Sequence, residues 1–187
     1  MTDLVQITDD GPIRIVRMNR PDKKNALTAA MYDAMAAALA GTKTDPDIRC
    51  VMFAGAPGAF CAGNDLDEFR QAAADGEGLG ESVLRFLHAL AWCERPLVGA
   101  VVGFAVGVGS TMLLHCDYVV ASRMARFTTP FVGLGLVPEA ASTLLAPRLM
   151  GPRRAFAMLV MGEPFDSDQA LSVGLINAVA DSTSVET

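Results

Sequence analysis

Short apolar runs cut by turn residues alternate along this chain with longer stretches of helical spacing. Leu4 to Ile7 and Pro12 to Met18 read as two strands around the turn Asp9-Asp10-Gly11. Asn19-Arg20-Pro21 ends the second strand, and Pro21 to Asn25 is a loop. Thr28 is a good N-cap for an Ala/Met-rich helix reaching about Thr42. Cys50 to Ala54 is a short buried strand, closed by the breaker cluster Gly55-Ala56-Pro57-Gly58. Asp65 with Glu68 has capping-box spacing, so a helix should begin there. Residues 75–80 read as a mobile loop. Glu81 to Cys93 is helical and is stopped by Arg95-Pro96, and Leu97 to Val102 is apolar enough for a fully buried strand. A helix opens at Val108 or Gly109 and runs to about His115. Tyr118 to Ala121 and Arg126-Phe127 are further strands. Helices are expected after Pro138, over Arg153 to Met161 and over Asp168 to Val173. The alternation of strand and helix makes the class α/β, with no internal boundary or repeat.

The 187 residues suit one domain with a full core. A hydrophobic fraction of 51% against 19% charged residues excludes a disordered chain. The net charge of −6, with no basic cluster, argues against a nucleic-acid surface. Cys50, Cys61, Cys93 and Cys116 form no CxxC pair, and His88 and His115 make no ligand cluster with them. Free thiols and no metal site are expected, as in a cytoplasmic protein. The first residues show no cationic segment followed by an apolar run, so no secretory signal is expected there. The longest apolar run, Leu97 to Val108, is interrupted by glycines and too short to span a bilayer.

Candidate chemistry lies in two small-residue turns, each leading from a strand into a helix. They are Ala59 to Phe69, containing Cys61-Ala62-Gly63-Asn64-Asp65, and Gly103 to Thr111, containing Gly107-Val108-Gly109. Such turns leave backbone N–H groups unpaired. Two of them converging would make an oxyanion hole. Other motifs carry less. Gly107 to Met112 lacks the third glycine of a dinucleotide fingerprint. Ser110 is in no GxSxG elbow. Cys61 reads as a small buried thiol, and Asp117 as structural.

In order and spacing, Asn19-Arg20-Pro21, Asn25-Ala26-Leu27, Phe60 to Asp65, Arg95-Pro96, Ala100 to Gly103, Gly107-Val108-Gly109 and Cys116-Asp117 resemble the enoyl-CoA hydratase/isomerase (crotonase) family over residues 1–180. The resemblance implies a spiral of ββα units, with the usual C-terminal helical region largely missing and residues 181–187 a truncated or disordered polar tail. It implies that Ala62 and Val108 donate the two N–H groups that hold the thioester oxygen of an acyl-CoA. Val108 stands where the family usually has glycine, bringing β-branched bulk to that position. Lys23, Lys24, Ala26 and Leu27, with Ala62, Gly63, Asn64, Asp65 and Leu66, are placed against the CoA moiety, and Gly107, Thr111 and Phe131 are implied to bind substrate as well; by residue type alone Lys23 and Lys24 read equally as a solvated turn. Coenzyme A would belong to the substrate, so no separate cofactor is implied. The family's homo-oligomer is a trimer or a dimer of trimers.

The same resemblance sorts the chemistry. Hydratases of this family use two glutamates. Thr111 and Phe131 occupy those positions here, and neither side chain is a base near neutral pH. One acid remains nearby. Leu134 to Ser142, with Pro138-Glu139, resembles the segment that carries the single base of the Δ3,Δ2-enoyl-CoA isomerases. By local pattern alone Glu139 is an ordinary first-turn helix glutamate after proline. By family position it is the catalytic base of a double-bond shift. The alternatives are an enoyl-CoA hydratase with another acid/base pair, or a non-catalytic acyl-CoA-binding scaffold.

Overall fold

A computed structural model describes residues 4–74 and 80–186. The loop expected at 75–80 lies outside the described residues except for Gly80. The strands are β1 (Val5–Asp10), β2 (Ile13–Met18), β3 (Cys50–Gly55), β4 (Leu97–Val101), β5 (Phe104–Val106), β6 (Tyr118–Ser122), β7 (Arg126–Thr128), β8 (Phe165–Asp166) and β9 (Ala178–Ala180). The helices are α1 (Ala29–Gly41), α2 (Leu66–Ala74), α3 (Glu81–Ala91), α4 (Val108–Thr111), α5 (Ser142–Met150), α6 (Pro152–Leu159) and α7 (Ser167–Ser172). The fold is α/β, as expected.

The larger sheet runs β1-β2-β3-β4-β6-β9. Its first pair is an antiparallel hairpin with Val5 opposite Met18, and the other pairs are parallel. Alternation along the strands sends successive side chains to opposite faces. Val16, Met18, Val51 and Phe53 point into the main core, where they join Met31, Tyr32 and Met35 of α1 and Phe86 of α3. Phe86 meets Tyr32 at 5.5 Å and Phe53 edge-on at 6.2 Å, both favourable ring geometries. The smaller sheet, β5-β7-β8, is extended by parallel bridges from Cys61 to Ala105 and from Leu27 to Asn64. Those bridges carry the smaller sheet through both candidate turns.

Several local expectations hold at the level of single bonds. Thr28 accepts the Met31 N–H and caps α1. Asp65 Oδ1 accepts the N–H groups of Asp67 and Glu68 and caps α2. The Glu68 carboxylate does not close a capping box, however. It accepts the Ala29 N–H, satisfying the exposed start of α1 instead. The strands β5, β8 and β9 were not expected. Each is at most three residues long, and distant partners decide it.

In the C-terminal segment residues 181–184 are exposed. Val185 is buried against Ala54 and Ala100 on the outer face of the larger sheet. Glu186 receives both guanidinium N–H groups of Arg17, at 2.8 and 2.5 Å. No helix among the described residues is long and apolar enough to cross a membrane.

Candidate active site

The two turns meet. Cys61 N–H donates to Phe104 C=O at 3.0 Å and Val106 N–H to Cys61 C=O at 2.8 Å. A Cβ on Gly109 would come within 2.8 Å of both Cβ and O of Cys61, and one on Gly63 within 3.1 Å of the Val106 carbonyl. Small residues at these points are therefore a packing requirement. They bring the start of α4 against the 61–65 segment.

Hydrogen-bond accounting then identifies the free donors and corrects one assignment. Ala62 N–H donates to Lys24 C=O at 3.0 Å, so it is already spent. Gly63 N–H points at Cys61 Sγ, 3.4 Å away. The Leu27 bridge uses the Gly63 carbonyl and the Asp65 N–H, each at 2.8 Å. Bonds in a parallel bridge flank the paired residue, so the N–H of Asn64 faces away from Leu27. It has no backbone acceptor among the described residues, and neither does Val108 N–H at the first position of α4. Each of these donors directly follows a glycine with positive φ, Gly63 at 90° and Gly107 at 55°. Asn64, not Ala62, is the counterpart of Val108. The repeated Gly-then-donor order was the signal in the sequence. The Val108 side chain is 2% exposed and packed in the core, so its bulk is turned into the protein.

The remaining predicted contacts form the frame of the site. Lys24 and Asn25 are both left-handed, at φ 50° and 57°. That kink lets Lys24 to Leu27 run beside Ala62 to Asp65. Asn25 holds it: fully buried, its Oδ1 accepts the Arg20 N–H, and its Nδ2 donates to the carbonyls of Ala59 and Ala56. Sequence reasoning cited Asn25 only as part of a motif. Lys23 and Lys24 are exposed, and Lys24 Nζ sits 5.9 Å above the Phe104 ring. Ala26 is half-buried, Leu27 is buried and Leu66 is exposed. Arg20 donates to Asp65 Oδ2 at 2.6 Å and to Ala26 C=O, joining the two segments. That hydrogen bond, with those from the Glu68 and Asp67 amides, holds the Asp65 carboxyl below its ordinary range against the opposing effect of burial. Burial pushes the Cys61 thiol up to about 12, which leaves it without nucleophilic character.

Glu139 is not in a helix. Pro138 was expected to begin one, but Ala140 and Ala141 are left-handed, at φ 55° and 51°, and α5 starts only at Ser142. Glu139 therefore sits on a backbone turn where two adjacent alanines take a conformation that L-residues avoid. His115 Nε2 lies 2.8 Å from the buried Ala140 carbonyl and donates to it. Glu139 Oε1 accepts the Thr111 hydroxyl at 2.5 Å. Burial raises the proton affinity of the carboxyl, and the Thr111 bond partly offsets this. Thr111 is fully buried and lies three residues beyond Val108 on α4. Phe131 is buried beneath the loop, and its carbonyl takes the Leu136 N–H. Among the described residues no group of three metal-ligating side chains occurs.

The model of the enoyl-CoA hydratase/isomerase family matches residues 9–187. The chain belongs to the enoyl-CoA hydratase/isomerase family. Enoyl-CoA delta isomerase 2 of Rattus norvegicus is 38% identical over 187 residues, covering 98% of this chain and 48% of the relative. The 1,2-epoxyphenylacetyl-CoA isomerase of Escherichia coli K12 is 36% identical over 175 residues, covering 90% and 66%. The chain thus spans between about half and two thirds of these two members' lengths. The crystal structure of an enoyl-CoA hydratase/isomerase from Pseudoalteromonas atlantica T6c superposes with a TM-score of 0.91 at 42% identity, covering 98% of this chain and 72% of that one. The crotonase architecture of the family accounts for the two sheets and the paired turns.

Proposed function

We propose that the chain acts on an enoyl-CoA thioester and moves its double bond from C3 to C2. The thioester oxygen is held by the N–H groups of Asn64 and Val108. Glu139 removes a proton from C2, the negative charge spreads onto the held oxygen as a dienolate, and the protonated Glu139 returns the proton to C4. One preorganised donor of this kind stabilises the transition state by roughly 3–4 kcal/mol. A carboxylate whose proton affinity is raised by burial is the better base for a carbon acid.

The observation that carries this reading is the chain of contacts Val108–Thr111–Glu139. Three residues along a helix rise about 5 Å, so Thr111 stands one turn from the Val108 donor and on its side. The Thr111 hydroxyl holds Glu139 Oε1 at 2.5 Å. Thr111 and Phe131 supply no second carboxylate, so one-base chemistry fits better than addition of water. The names of the relatives, a delta isomerase and an epoxyphenylacetyl-CoA isomerase, support a CoA thioester as substrate.

The test uses purified protein with a 3-enoyl-CoA, followed by the absorbance of the conjugated product. Glu139→Gln should abolish turnover and leave binding of the CoA ester intact. Undiminished isomerisation by that variant would overturn the reading, and so would water addition to crotonyl-CoA by the parent protein without any double-bond shift.

A further inference from the structure

The proposed hole has one donor, Asn64, that is not at a helix start. Val108 N–H is aimed by the geometry of α4. Asn64 has only the flanking bonds to Leu27 on one side. On the other side its side chain is held by Tyr32. The Tyr32 hydroxyl donates a hydrogen bond to Asn64 Oδ1. Tyr32 is 1% exposed, and its ring is fixed against Phe86. Tyr32 thus buries its ring in the core and aims its one polar side-chain atom at a candidate catalytic turn, a contact that phenylalanine of the same shape could not make.

Given the donor pair proposed above, the geometry points to Tyr32 as a positioning residue of the oxyanion hole, acting through Asn64. Among the described residues, three ties bind the start of α1 and the residue before its cap to the 63–68 segment: the bridge of Leu27 to Asn64, Ala29 N–H to Glu68, and Tyr32 to Asn64. The first two hold the segment as a body. Among the described residues only the Tyr32 bond holds the side chain of the donor residue, and with it the rotation of the peptide whose N–H faces the ligand. Burial, with Cys61 and Glu139 nearby, holds the Tyr32 phenol well above its usual range, so it stays protonated and donates throughout the working pH range.

The test reads polarisation of a bound carbonyl and so needs no turnover. Cinnamoyl-CoA is the probe, because its aryl group leaves no C4 hydrogen to remove. Bound to the parent protein, its thioester absorption should move to longer wavelength. Tyr32→Phe preserves shape and should fold normally, as checked by thermal unfolding. It should shrink the band shift to about half or less, with Kd changed by no more than about threefold, and reduce kcat on a 3-enoyl-CoA by about tenfold or more while KM holds. Asn64→Ala keeps the backbone N–H and should reproduce these effects, and adding Tyr32→Phe to it should change nothing further. An unchanged band shift in Tyr32→Phe, or losses that add in the double variant, would overturn the inference. A parent protein that binds cinnamoyl-CoA with no band shift would overturn the donor pair itself, a result separable from a failure of Tyr32 alone.

Discussion

Thr111 Oγ1 donates to Glu139 Oε1 at 2.5 Å, across two elements separated by 28 residues of chain. The threonine is fully buried on α4, and its hydroxyl serves the Glu139 carboxyl. A hydrogen bond to a charged group contributes roughly 1.5–3 kcal/mol. Thr111→Val, similar in shape, should lower kcat about tenfold or more. It should also shift the acid limb of the pH–rate profile upward, because the bond it removes lowers the Glu139 proton affinity. Steady-state rates across the acid range test both outcomes, and an unmoved limb would contradict the pairing.

Glu139 sets catalysis against stability. Its folded pKa lies above the unfolded value, so the stability it permits is fully present below about pH 4.3 and is lost as pH rises through the folded pKa. Glu139→Gln removes that pH-dependent loss. Its Tm should match the parent at acid pH and exceed it increasingly as pH rises, until Glu139 is fully ionised. Thermal unfolding at several pH values measures this, and a constant difference would argue against a desolvated carboxylate.

The turn that presents Glu139 stores strain at Ala140 and Ala141. A left-handed L-residue costs roughly 1–2 kcal/mol, so Ala141→Gly should stabilise by up to about that amount minus the glycine entropy cost. His115→Ala leaves the buried Ala140 carbonyl without its donor, at a cost of about 1–3 kcal/mol. On the role proposed for Glu139, whose turn this bond holds, kcat should fall more than affinity for the CoA ester. Denaturant unfolding and steady-state kinetics on the two variants give the signs, which are expected to be opposite for stability.

Asp65 both caps α2 and pairs with Arg20, and its side chain is 8% exposed. Asp65→Ala removes the cap and leaves the Arg20 guanidinium without its carboxylate, for a loss of roughly 2–4 kcal/mol. Since its carboxyl is held low in the folded state, its contribution is present above the unfolded value near pH 4 and fades as pH falls through the folded pKa. The difference in Tm between parent and variant should therefore narrow in strong acid.

The parts of the site that were legible in the sequence are those governed by neighbours along the chain. Thr28 and Asp65 announce helix starts through residue type and spacing, and Gly107 announces a turn no other residue makes easily. The parts that were not legible depend on distant partners. Glu68 looks like half of a local capping box, yet its acceptor role goes to Ala29, 39 residues away. Ala62 looks as eligible a donor as Asn64 until the Lys24 carbonyl is seen to occupy it. Pro138 predicts a helix start, and two left-handed alanines postpone it because His115 holds the carbonyl between them. The strand β8 has two residues and exists because β7 is beside it.

Val185 covers Ala54 and Ala100, residues of β3 and β4 at the middle of the larger sheet. Loss of Val185 would uncover an apolar spot on strands to which it does not belong, and loss of Glu186 would free Arg17 of the opening hairpin, so these two adjacent residues clasp together elements far apart along the chain.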